Sequence, residues 1–209
     1  MEHRTARRAT RRTSVLIATA LLAASAATAA PAIAEEDPGG NAQQVETARH
    51  PNYAEPDEGA YEFSLAGDPT KNMIPYEWSE EDGAPVTAYG GNATGERSWD
   101  LVSARGKWTI NDQAVAVYQI RSHTNGTLCV TVGKSVMGAE LRQKTCDPSR
   151  GNQGQYWLFR KAGNGTYHLV PWKNYSLVVG PKETGVTESP LTLQGRSSTN
   201  RWNATRTDD

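Results

Sequence analysis

The chain has 209 residues, 37% of them hydrophobic, with 22 basic against 23 acidic side chains. Less an N-terminal leader, that length is one domain's worth of sequence, and the charge balance lacks the basic footprint of a nucleic-acid or anionic-membrane binder. The two cysteines and four histidines include no CxxC or HExxH spacing, so neither a metal nor a redox centre is expected.

The first 34 residues read as an address. Arg4, Arg7, Arg8, Arg11 and Arg12 form a basic start, Val15 to Ala30 is apolar or small, and Ala32-Ile33-Ala34 precedes Glu35-Glu36-Asp37. This is the layout of a secretory signal peptide. A membrane anchor needs about 20 strongly apolar residues, and this stretch is shorter and alanine-rich. Thr10-Arg11-Arg12 hints at twin-arginine export, but Ser14 stands where a bulky apolar residue is usual, so ordinary secretion is expected. No cysteine follows the apolar stretch to carry a lipid. The Ala- and Arg-rich leader points to a bacterial source and an extracellular destination. Cleavage after residue 34 removes five arginines and one acid, leaving 17 basic and 22 acidic residues and a formal charge of about −5.

Residues 35–60 are polar and acidic without apolar periodicity, and read as a flexible linker. The folded domain is expected over 61–209. There, Tyr61 is followed by Trp99 after 38 residues, Tyr118 by Trp157 after 39, and Tyr167 by Trp202 after 35. Each interval offers four short alternating strands. The first set is Tyr61–Leu65, Ala116–Ser122 and Tyr167–Pro171, and the second Asn72–Trp78, Thr127–Val132 and Tyr175–Gly180. The third is Val86–Tyr89, Glu140–Thr145 and Leu191–Gln194, and the fourth surrounds the three tryptophans. Arg105–Ala114, with Trp108, is an insertion or an elongated hairpin between the first two units. About twelve strands in three similar units predict an all-β fold, a single β-trefoil closed from three repeats. A β-sandwich is the alternative. Trp99, Trp157 and Trp202 are the candidate core aromatics.

Cys129 and Cys146 flank 16 residues, and an even pair in an exported chain predicts a disulfide. Five Asn-x-Ser/Thr triplets, at Asn92, Asn125, Asn164, Asn174 and Asn203, read as turn sequences.

The middle unit, Gly126-Thr127-Leu128-Cys129-Val130-Thr131-Val132, then Leu141 to Cys146, then Gln155-Tyr156-Trp157, resembles the ricin B-type lectin repeat with its Gln-x-Trp motif. Ser176 to Gly180 with Asn200-Arg201-Trp202, and Arg97-Ser98-Trp99, are fainter copies. The resemblance covers about Tyr61 to Thr205. It implies a β-trefoil that binds glycans in shallow pockets, with Gln155 and the tryptophans as scaffold. Such a pocket stacks an aromatic face on a sugar's C–H face and directs a carboxylate and an amide at its hydroxyls. In the family the acid stands two residues after the first cysteine and the aromatic two before the second. Here those positions are Thr131 and Lys144 in the middle unit, and Val178 and Gln194 in the third. The first unit keeps Tyr89 in the aromatic position and Thr87 before it, with Tyr76 or Glu77 nearest the acid position. Tyr76, Glu77, Thr87 and Tyr89 are therefore the expected ligand-binding residues.

No Ser-centred elbow or paired catalytic carboxylates stand out, so no enzymatic activity and no cofactor are expected. Two functions follow. The first is a secreted lectin-like module. The second is a protein-interaction trefoil, an inhibitor or toxin-targeting subunit acting through the loops Asp147–Gly154 and Arg105–Ala114, with Arg150 and Lys107 near their tips. The expected partner is a glycan, or a secreted or cell-surface protein, rather than nucleic acid, and no membrane span is expected.

Overall fold

A computed structural model describes residues 49–91, 97–106 and 108–207; the leader, residues 35–48, Asn92 and Lys107 lie outside them. The described chain is all-β, with fifteen strands and three short 3-10 turns.

Six strands close on one another: β2 (Gly59–Leu65), β5 (Ser98–Ser103), β8 (Tyr118–Ser122), β11 (Trp157–Gly163), β12 (Thr166–Pro171) and β15 (Trp202–Arg206). Each pairs antiparallel with the next, and β15 returns to β2. Closure leaves no open edge in this ring, which is why short strands suffice. Period-two alternation builds the interior. In β2, Phe63 and Leu65 point inward while Glu62 and Ser64 are partly exposed.

The other long strands form three hairpins: β3 (Asp68–Pro75) with β4 (Val86–Tyr89), β9 (Leu128–Val132) with β10 (Leu141–Thr145), and β13 (Leu177–Pro181) with β14 (Glu188–Gly195). They are joined to each other by the β4–β14 pairing and by bridges between Pro85 and Arg142 and between Glu140 and Thr192. One contact recurs in all three. The indole N–H of Trp99 donates to the Met73 carbonyl at 2.8 Å, that of Trp157 to Val130 at 3.0 Å, and that of Trp202 to Val179 at 3.0 Å. All three indoles are buried, so each ring contributes apolar area while its polar atom is satisfied. The Cys129–Cys146 disulfide ties β9 to the residue after β10.

A second apolar cluster lies outside the barrel. It joins Tyr53, Ile110, Val115, Val117, Leu158, Val170 and Val178, with Trp108 and Trp172 packed against it. The segment 105–114 supplies a small hairpin, β6 (Thr109–Ile110) with β7 (Gln113–Ala114), turned by Asn111 and Asp112 at φ 50° and 62°. The linker expected to run to residue 60 ends earlier. Strand β1 (Tyr53–Ala54) pairs with β11, Tyr53 is buried, and the Arg160 guanidinium donates to its hydroxyl at 2.6 Å. A single tyrosine anchors a stretch whose average composition is that of a linker. Asn203 likewise lies in β15 rather than in a turn, its amide donating to Ser64 Oγ at 3.1 Å. Among the described residues no helix is long and apolar enough to cross a membrane.

Candidate functional site

The three indole–carbonyl bonds set one register for all three units. Val130 follows Cys129, so the position two after that cysteine is Thr131, and its counterparts one residue beyond Met73 and Val179 are Ile74 and Gly180. Across the hairpins these residues face Arg142, Thr87 and Thr192, and the neighbouring pairs bring in Lys144, Tyr89 and Gln194. The acid position therefore moves from Tyr76 or Glu77 to Ile74, and from Val178 to Gly180. In the first unit ten residues separate the hairpin strands, against eight in the second, and that longer turn displaces an alignment made without a cysteine to anchor it.

None of the three positions holds a carboxylate. Ile74 is buried; Thr131 donates to the Cys129 carbonyl at 2.9 Å and accepts from Gln155 at 3.1 Å; the Asn200 amide lies against Gly180. Gln155 is fully buried, donating to the Thr145 carbonyl at 2.8 Å and accepting from the Asp147 N–H at 2.7 Å, so its bonds hold the scaffold. Lys144 is held by Asp82 at 2.6 Å, and the same carboxylate accepts from the backbone and hydroxyl of Thr145. The Lys144 bond first, and then those from Thr145, draw the Asp82 carboxyl down to about 2.

The first hairpin carries a different constellation. A 3-10 turn over Tyr76–Trp78 places Glu77 and Trp78 at φ 50° and 54°, the left-handed region that side-chain-bearing residues seldom adopt. The bend leaves Tyr76 exposed and turns Trp78 edge-on to Tyr89, with ring centroids 5.3 Å apart. Thr87 is buried and its hydroxyl donates to Glu188 at 2.9 Å. Glu188 is brought in from the third unit by the β4–β14 pairing, directly opposite Tyr89. The hydrogen bond to Glu77, that group's charge, slight burial and the Glu188 charge all push the Tyr76 hydroxyl pKa upward. Thr87 and Tyr89 lie on β4, Tyr76 and Glu77 in the turn after β3, and Glu188 is paired to β4 although it stands 101 residues from Thr87. No local pattern in the sequence marks Glu188, because strand pairing between units puts it there. Next to the 3-10 turn, Pro75, Trp78, Ser79 and Glu80 line a cleft of about 180 Å³, and the buried Trp78 indole N–H has no partner among the described residues. Among those residues no group of three His, Cys, Asp or Glu side chains could hold a metal ion.

A closed six-stranded barrel with three mutually joined hairpins defines the class as a β-trefoil. Known structures specify the type. A mosquitocidal holotoxin matches with a TM-score of 0.60 and 18% identity over 74% of this chain but 18% of its own. The designed three-fold symmetric protein ThreeFoil matches at 0.58 with 18% identity, over 71% of this chain and 99% of its own. A ricin B-like lectin of Macrolepiota procera, solved in complex with lactose, matches at 0.51 with 13% identity, over 74% of this chain and its own whole length. The chain shares the β-trefoil fold of these proteins, a ricin B-like lectin among them. No protein-family model matches the sequence, and no curated protein aligns with it significantly.

Proposed function

We propose that this protein is a secreted carbohydrate-binding module whose ligand sits on the face of the first hairpin, in a barrel of three repeated units. The observation that carries the reading is the exposed Tyr76 ring next to Glu77, with the Glu188 carboxylate held on Thr87 opposite Tyr89 in the same hairpin. An aromatic face packs on the apolar side of a pyranose, and carboxylate oxygens accept from adjacent sugar hydroxyls. Glu188 supplies the acid that the usual position lacks. The arginine-rich leader and the paired cysteines support export to an oxidising compartment. The fold's lectin neighbours support binding rather than catalysis.

A glycan array probed with the full chain, secreted and oxidised, tests this directly. Saturable binding to a defined sugar is expected, weakened at least tenfold by Tyr76→Ala and Glu188→Gln and less by Tyr89→Ala, whose ring is already engaged edge-on with Trp78. Binding indifferent to all three substitutions would remove the ligand from this face. A second reading, a protein-interaction trefoil, is favoured by Val136 and Met137, 54% and 71% exposed in the turn of the second hairpin. If the array is silent and a culture-supernatant pull-down captures a partner that Met137→Glu releases, that reading prevails.

A further inference from the structure

A second cleft, of about 500 Å³, opens on a different part of the surface, where the end of β5 and the loop after it meet β8 and the loop at Pro148–Arg150. Three guanidinium groups line it, those of Arg105, Arg121 and Arg150, with Gln119 and Tyr156 at the base. None of the three arginines forms an ion pair among the described residues. The carboxylates nearby are otherwise engaged. Asp147 accepts from the Ser149 N–H and hydroxyl and the Asn152 N–H, and Glu58 accepts from the Ser103 N–H.

Two of the arginines are held in place. Arg121 donates through Nη2 to Gln119 at 2.8 Å, while its Nε is buried without a partner. A buried guanidinium N–H with no acceptor is costly, and a shift of the Arg121 side chain toward an anion in the cleft would give it one. Arg150 stands at φ 65°, with its guanidinium 5.4 Å from the Trp108 ring centre and packed on Gly106. A side chain at Gly106 would place its Cβ 2.4 Å from that guanidinium, and Gly106 itself sits at φ 112°, so glycine is what lets the two loops approach. Burial pushes the Tyr156 hydroxyl pKa up, as does the Asp147 charge, and the Arg150 and Arg121 charges oppose them. Both arginine charges are therefore felt at the cleft base.

We infer that this cleft binds the oxyanion of an acidic saccharide, a carboxylate or a sulfate ester. Planar guanidinium forks match the two-oxygen geometry of both groups, and polar groups such as Gln119 and Ser103 suit the hydroxyls of a sugar that carries them. The inference rests on the glycan-binding reading but uses a separate set of residues.

The test is titration of the full chain, followed by arginine side-chain NMR and calorimetry, with four probes: a digalacturonate, a sulfated disaccharide, the neutral form of that disaccharide, and inorganic sulfate. The expected result is that an acidic saccharide shifts the Arg121 Nε resonance. Its affinity should fall at least tenfold in Arg121→Gln and in Arg150→Gln and stay unchanged in Lys134→Gln, an exposed cation outside the cleft. Which acidic probe binds separates carboxylate from sulfate. A neutral glycan that binds and is lost only in Tyr76→Ala, with no acidic saccharide reaching the arginines, would overturn the cleft and leave the first-hairpin reading standing. Shifts with inorganic sulfate alone would overturn the saccharide assignment. Gly106→Val is an independent check. It should displace Arg150 and weaken acidic-saccharide binding while the denaturation midpoint shows the barrel intact; unchanged binding in that folded variant would also count against the cleft.

Discussion

Asp82 sits in the turn of the first hairpin, yet its carboxylate takes all its bonds from β10 of the second unit. This pins Lys144 at the position where a sugar-binding repeat would carry an aromatic. Its carboxyl pKa is lowered to about 2 from 3.8, so the fold favours the ionised form. The stabilisation is complete above the unfolded value and is lost as pH falls from about 4 to 2. The side chains are exposed and the effect is screened by salt. A carboxyl-carbon NMR titration is expected to show a midpoint near 2 for Asp82, and Asp82→Asn should flatten the loss of stability between pH 4 and pH 2. A midpoint near 4 would mean that Lys144 is free. Residue by residue, the sequence exposed the loss of a stacking ring at Lys144, since that follows from spacing to Cys146. The partner that holds Lys144 lay 62 residues away in the chain, beyond any local pattern.

At the scale of elements, the tryptophans do two tasks at once, filling the barrel and tying one hairpin strand in each unit to it. Replacing Trp157 by Phe keeps most of the ring's apolar contact but leaves the Val130 carbonyl buried without its donor. That orphan costs about 1–3 kcal/mol, with a further contribution from the smaller ring. Chemical denaturation of Trp157→Phe should show a loss in this range, and equal losses are expected for Trp99 and Trp202 because their bonds are the same. No measurable loss at any of the three would show that the indole N–H bonds do not carry the hairpins. Reducing the Cys129–Cys146 bond, which closes a loop of similar size to the 15-residue reference case, should cost roughly 3 kcal/mol more. These elements were legible because a Tyr start and a tryptophan punctuate each unit at near-constant spacing and a cysteine pair marks the middle one. The acid position in the outer units was not legible. Strand alternation fixes which face a residue takes, and in the first unit a turn longer by two residues preserves that alternation while moving the register. Glu188 was hidden for a different reason, since pairing between the first and third units has no trace in either unit's own pattern.

For the whole molecule, residues 49–58 are part of the folded body. Tyr53 seals the outer cluster, and the Arg160 guanidinium lies 5.2 Å from its ring centre as well as bonding its hydroxyl. Farther along, the Tyr118 hydroxyl donates to the Pro56 carbonyl at 2.7 Å, and the Glu58 carboxylate accepts from the Ser103 N–H at 2.7 Å. Residues 49–58 thus touch β11, β8 and β5 in turn, running across three consecutive strands of the barrel. Composition hid this because one tyrosine among prolines and acids barely alters a window average, whereas a single buried aromatic contributes 150–250 Å². A chain beginning at Tyr61, where the repeat starts, would lose the seal, expose Ile110, Val115 and Leu158, and remove the start of β2 with it. It should unfold at lower denaturant than a chain beginning at Arg49. Tyr53→Ala alone in the longer chain should cost roughly 3–5 kcal/mol, as aromatic truncations in cores do. Equal denaturation midpoints for the two lengths would show that the barrel is self-sufficient and that the segment merely lies on it. A large difference reproduced by Tyr53→Ala would assign the effect to that one side chain.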